Sequence, residues 1–461
     1  MSLKDIRGVP VSYSDQKAID AMEDAHICAM SFYGDPIGRI DKVLSEHPDF
    51  IMGHCFKAAW LTQTLETRIY KRMVAALNAA EALWDKANDR EKGHIKAVKA
   101  WVEGDFYGAV QQWEAVLTSN PYDLLALQLI HLTDVLLGDV AGQRDCVARV
   151  FALWDEDMPG YEFVLGFYSF GLEENSDYLQ AEEMGRMSLA IRPDNPYAVH
   201  AVSHVMEMQG RQAAGISFMR DRAPSWSKSH FANHLWWHLS LFHLDIGQMD
   251  RVFDVYDNNL RTPHQTIDKY EELDAAALLW RLKLLGVDVE DRWASLADKW
   301  EPSASDTLYA FNDVHAMMTF VSDGRTEAAQ KLLTANERYI DHATDANTAM
   351  SREVGLPFCL ALQDFENGNY NSCVDRLLAV RYRTHRLGGS HAQRDIIGWT
   401  LLEAALRSKR YDLALALANE RCALKNTSVQ NWNYVARAHK GLGDIAKADK
   451  AAARAQSLMA G

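Results

Sequence analysis

Between its polar turns the chain repeats apolar residues three and four positions apart, the spacing of one face of an α-helix. Val199, Val202, Ser203 and Met206 make one such stripe, and Trp236, Leu239, Ser240 and His243 make another. The turns share a grammar. Gly104-Asp105-Phe106 leads through Ala109 and Trp113 to Pro121, and Ser176-Asp177-Tyr178 leads through Ala181 to Pro193. Gly247, Gly324, Gly368 and Gly443 open related segments, with weaker matches at Gly138, Gly210, Gly286 and Lys409. The intervals between successive turns run from 34 to 44 residues. Each unit therefore reads as a helix–turn–helix hairpin that can bury its apolar face only against its neighbours. The expected fold is all-α, a superhelix (solenoid) of about ten to twelve hairpins. Residues 1–90, with breaks at Asp35-Pro36 and His47-Pro48, are expected to form an N-terminal helical cap continuous with a repeat array over 91–461.

Composition agrees with that pattern and narrows it. Hydrophobic residues make up 48% of 461, enough for a large core, while 11 prolines and 26 glycines are too few for an all-β chain of tight turns. The formal charge is −15, an acid excess that argues against a phosphate-binding stripe and so against nucleic acid. Apolar runs such as Ala275 to Trp280 are too short to span a bilayer, and residues 1–20 lack an apolar signal core, so no membrane partner is expected. Six cysteines without a C-x-x-C pair suit reduced thiols in a cytoplasm. The pattern Gly441-x-Gly443-x-x-Ala446 coincides with a repeat turn and has no preceding strand, which makes it structural rather than dinucleotide-binding.

Seven of the 17 histidines fall between positions 200 and 264, and several share helix faces. His200, His204 and Glu207 repeat the spacing of the Val199 stripe one residue later, about 100° round the helix. His234 and His238 do the same one hairpin on, with Trp237 beside them. Two imidazoles and a carboxylate on one face can act as acid and base or hold a divalent metal, for which His200, His204 and Glu207 are the candidate ligands. No cofactor is certain from the sequence. Asp313 and His315 open a later helix. Gly388-Gly389-Ser390-His391 feeds a helix start whose N–H groups suit an anion, with Arg394 at hand.

The strings His200-Ala-Val-Ser-His204-Val-Met-Glu207, Asn233-His234-Leu-Trp-Trp237-His238-Leu-Ser, Asn312-Asp313-Val-His315 and Gly388-Gly389-Ser390-His391-Ala-Gln-Arg394 resemble the tetratricopeptide repeat (TPR) protein 38 family. The ten turns resemble the wider TPR unit of about 34 residues. The resemblance implies a helical-repeat, cytoplasmic protein and carries no established reaction. Two functions stay open. One is a His-rich concave pocket for a small polar molecule, read as an acid/base or metal-assisted hydrolase. Its catalytic set would be His200, His204, Glu207, His238 and His391, with His234, Trp237, Asp313, His315 and Arg394 binding substrate. The other is a non-catalytic protein- or peptide-binding scaffold. The wealth of His, Trp and carboxylate leans towards the pocket. Expected partners are a small-molecule ligand or a peptide, with a homodimer left open.

Overall fold

The computed structural model describes residues 3–261 and 269–459. The protein is all-α and built from TPR-like helical hairpins, apart from an antiparallel two-stranded ribbon pairing Leu3–Lys4 with Pro10–Val11. His264 lies outside the described residues.

The ten turn positions read from the sequence share one backbone conformation. Positions 104, 138, 176, 210, 247, 286, 324, 368, 409 and 443 all have positive φ, between 64° and 83°. This is the left-handed conformation that ends a helix and reverses the chain. Glycine adopts it freely, whereas Ser176 and Lys409 adopt it against their Cβ atoms. On either side lie the expected helices, for example Asp89–Val102 with Phe106–Ser119 and Ala310–Ser322 with Thr326–His342. Two further hairpins, Gln16–Ser31 with Pro36–Glu46 and Ile51–Leu61 with Thr67–Glu81, precede them. Asp35 caps its helix by accepting the Gly38 N–H, with Pro36 in the first turn, which explains the break there.

Two compact units divide the chain. The first comprises Met1–Val202, Pro224–Ala232 and Thr344–Asn347, and the second Ser203–Ala223, Asn233–Ala343 and Thr348–Gly461. Residue 90 lies inside the first unit. The Ile51–Leu61 helix packs directly on Asp89–Val102 within the first unit, because both bury apolar faces in the same core.

In the first unit Trp113, Phe167 and Phe170 are fully buried. Its N-terminal segment is fastened by buried charge. Arg7 donates to both Glu23 oxygens at 2.7 and 2.6 Å, and Arg90 donates to Asp123 at 2.7 Å. The second unit buries Trp237, Trp280 and Phe320. All six cysteines are buried and free. Among the described residues no helix is long and apolar enough to cross a membrane.

Two tests follow from the backbone and the core. Lys409→Gly removes a left-handed side chain and is expected to stabilise the protein by about 1 kcal/mol. Gly324→Ala, where a Cβ meets open space, should cost about as much through the backbone alone. Denaturant unfolding of both variants reads the two signs, and a stabilising Gly324→Ala would refute the conformational argument. The second test concerns Asp134 in the first unit. Burial, reinforced by the charges of Asp139 and Glu114, pushes its carboxyl up to about 8. The folded state therefore keeps a proton that the unfolded chain releases near pH 4, and stability falls as pH rises from about 4 to 8. Asp134→Asn should match the wild type at pH 4 and melt higher at pH 8.5. Melting curves whose separation does not widen with pH would exclude this linkage.

Candidate functional site

The site lies in the second unit and is built from the inward faces of several hairpins. Glu207 comes from the Pro196–Met208 helix, His234 and His238 from Ala232–Asp245, and Asp274 and Arg281 from Lys269–Leu284. His391 and Asp395 stand on His391–Arg407, and Arg421 on Tyr411–Leu424. An i, i+4 spacing places His234 and His238 one above the other on a single helix face.

At its centre is a chain of four polar groups. Asp274 accepts from His234 Nδ1 at 2.9 Å, and Glu207 accepts from His238 Nδ1 at 3.2 Å. The other two ring nitrogens, His234 Nε2 and His238 Nε2, then meet at 3.2 Å. His204 closes on this pair, its ring 4.4 Å from that of His238 and 5.5 Å from that of His391. His204, His234 and His238 are buried, and His391 is half-buried. Burial, with the neighbouring imidazoles and Arg281, holds His238 well below the ordinary histidine range.

Arg281 is almost wholly buried. It donates to the backbone oxygens of Ala277 and Ala392 at 3.0 and 2.7 Å and lies over the Trp237 ring at 5.3 Å. Burial lowers its pKa to about 10, against the opposing charges of Asp395 and Glu207. Beside it opens a cavity of about 160 Å³, with Glu207, Arg281, His391, Asp395, Arg421 and Lys425 in its wall. Arg421 grips Asp395 with two bonds of 2.5 and 2.8 Å, while Lys425 sits 3.6 Å from Glu207 and 3.9 Å from Asp245. Burial opposes the Lys425 charge, yet Asp245 and Glu207 hold its pKa above the ordinary lysine value. The wall thus alternates cations and carboxylates.

The residues singled out in the sequence fare differently. His204, Glu207, His234, His238 and His391 come together in the second unit. His200 belongs to the first unit, where its ring meets Phe170 at 4.8 Å and Phe231 at 5.1 Å. Trp237, expected as a wall for substrate, is fully buried and stacks on His234 at 5.3 Å as packing beneath Arg281. His315 donates through Nδ1 to Phe311 O at 2.7 Å, and burial lowers its pKa to about 4. Asp313, on the same helix, is buried and adds to the forces that raise the Cys359 thiol. Arg394 binds the carbonyl of Gly389 and lines a neighbouring hollow of about 360 Å³. The helix start at Ser390 is also engaged. Ser390 and Gln393 form a reciprocal capping box, which engages the Ser390 and Gln393 N–H groups at the helix start that had been read as an anion site.

Asp274, Arg281, Asp395, Arg421 and Lys425 were not foreseen. Asp274 and Arg281 did leave a signal, because they bracket the apolar run Ala275 to Trp280, where a helix buried all round has no solvent for a charge.

No family model matches the chain. Solved structures with similar arrangements include a human IFIT1 dimer with m7Gppp-AAAA, at 14% identity over 96% of this chain and 95% of that one, TM-score 0.41. A second human IFIT1 dimer, with PPP-AAAA, is 12% identical over 98% and 96%, TM-score 0.40. Naa15/Naa10 bound to HypK-THB is 13% identical over 96% of this chain and 63% of that one, TM-score 0.26. These likenesses concern helical-repeat architecture. The exclusion of nucleic acid drawn from the net charge does not stand. The physical reason is that a whole-chain charge of −15 does not fix the charge of one cavity, and here Arg281, Arg421 and Lys425 gather in a single wall.

Proposed function

We propose that this TPR-like protein is a binding protein whose second unit receives a small zwitterionic group, either free, as in an amino-acid-sized molecule, or at the end of a peptide. The observation that carries the reading is the alternating wall of the 160 Å³ cavity, with Arg421 and Lys425 beside Glu207, Asp245 and Asp395. An acidic group of the ligand takes over part of the Arg421 or Lys425 pairing, and an amino group meets the carboxylate so released. Hairpin arrays commonly serve as binding surfaces, which supports the same reading. The four sequence strings support placing the chain with the tetratricopeptide repeat protein 38 family.

A second reading is acid/base hydrolysis in the same pocket. It is favoured by one contact, Glu207 to His238 at 3.2 Å, which joins the cavity wall to the buried imidazoles. His391, half-buried in that wall, is then the acid or base that meets substrate.

Calorimetry on the full chain with two panels, free amino acids and short peptides, distinguishes the sources of the ligand group. Binding in either panel should weaken at least about tenfold in Arg421→Ala, the loss of a charge-assisted pair. No binding in either panel, or binding indifferent to Arg421→Ala, would sink the proposal. Turnover of amide or ester substrates that His391→Ala abolishes would establish the second reading instead.

A further inference from the structure

We propose that His204, His234 and His238 form a binding site for one divalent transition metal of the zinc class, with Asp274 and Glu207 as its outer carboxylates. The inference goes beyond the ligand pocket and does not depend on it, since it stands on the buried imidazoles alone.

Geometry is the first support. One nitrogen from each of the three rings lies within 4.8 Å of the others. Two nitrogens bound to a tetrahedral zinc at about 2.0–2.1 Å stand roughly 3.3 Å apart. His234 Nε2 and His238 Nε2 stand 3.2 Å apart, so the bite of that pair is already set. A small ring movement of His204, whose centroid is 4.4 Å from that of His238, brings in the third donor.

Proton bookkeeping is the second. Each carboxylate accepts the Nδ1 hydrogen of its own imidazole, which turns the two Nε2 atoms towards each other. Their approach to 3.2 Å needs a positive charge between them, a shared proton or a metal ion. A metal dication supplies that charge and balances the two carboxylates. The same carboxylate–histidine arrangement orients imidazoles and raises their basicity around zinc.

Donor chemistry is the third. Three neutral imidazoles without thiolate suit zinc, cobalt, nickel or copper and not calcium or magnesium. Three protein ligands leave a coordination position, and Glu207 and His391 connect this centre to the cavity wall.

The test uses full-length protein stripped with chelator and titrated with cobalt(II) alone and zinc(II) alone. One equivalent of cobalt should bind per chain, with the intense visible bands of a tetrahedral site that zinc then bleaches. Asp274→Asn keeps all three nitrogens and should weaken binding about 10- to 100-fold, the usual effect of losing an outer carboxylate. His204→Ala should remove the tetrahedral bands, with circular dichroism verifying that each variant is folded. Folded wild-type protein without visible bands, or with weak binding at several sites, overturns the proposal. So does a spectrum unchanged in both variants. The wild-type titration decides the matter even where a variant does not fold.

Discussion

A helical hairpin of this length cannot bury its apolar face alone, and everything else in the protein follows from how each hairpin is made to turn back. The reversal needs one residue in the left-handed conformation, and ten positions supply it within a range of less than 20° in φ. Because the turns are alike, each second helix returns beside its first helix, and the next hairpin begins on the same core. Two of the ten positions tolerate a side chain, Ser176 and Lys409. At those two the packing of the flanking helices outweighs a backbone cost of about 1–2 kcal/mol.

The same packing creates the chemistry. Helices buried all round leave no face for water, so polar groups inside must satisfy one another or be strongly penalised. Asp274, His234, His238 and Glu207 do so in a line, while Arg281 settles on two backbone oxygens and a tryptophan face. Replacing such a set with apolar residues of similar volume often costs nothing or stabilises. Persistence of five ionisable groups in one core is therefore poorly explained by stability. It is well explained if the central pair holds something charged.

How much of this was legible in the sequence depends on the range of the interaction involved. The turns were legible because left-handed backbone is a local property, written in glycine and its neighbours. The shared faces of His204 with Glu207 and of His234 with His238 were legible because i, i+3 and i, i+4 are fixed by the helix. Their burial was not. Periodicity separated two faces of the Pro196–Met208 helix, about 100° apart, yet His204 and the Val199 stripe are both inaccessible to water. Asp274 reaches His234 from a hairpin 40 residues further on, a distance at which no sequence spacing speaks.

Net charge proved the weakest guide, for a reason of scale. The excess of 15 acidic groups is spread over 461 residues and is screened within about 10 Å at 0.1 M salt. Inside the second unit the relevant lengths are 3–4 Å, between groups partly withdrawn from water, where one lysine between two carboxylates matters more than the whole surface. What a ligand meets in the cavity is decided there. Arg421 and Lys425 each arrive already paired, so a polar guest gains only by exchanging partners and must itself carry both signs of charge. A purely acidic guest would leave Asp395 or Glu207 uncompensated, and a purely basic one would compete with a cation already in place. On the proposed reading, the alternation of charge selects for a ligand with matching alternation, whatever the sign of the protein as a whole.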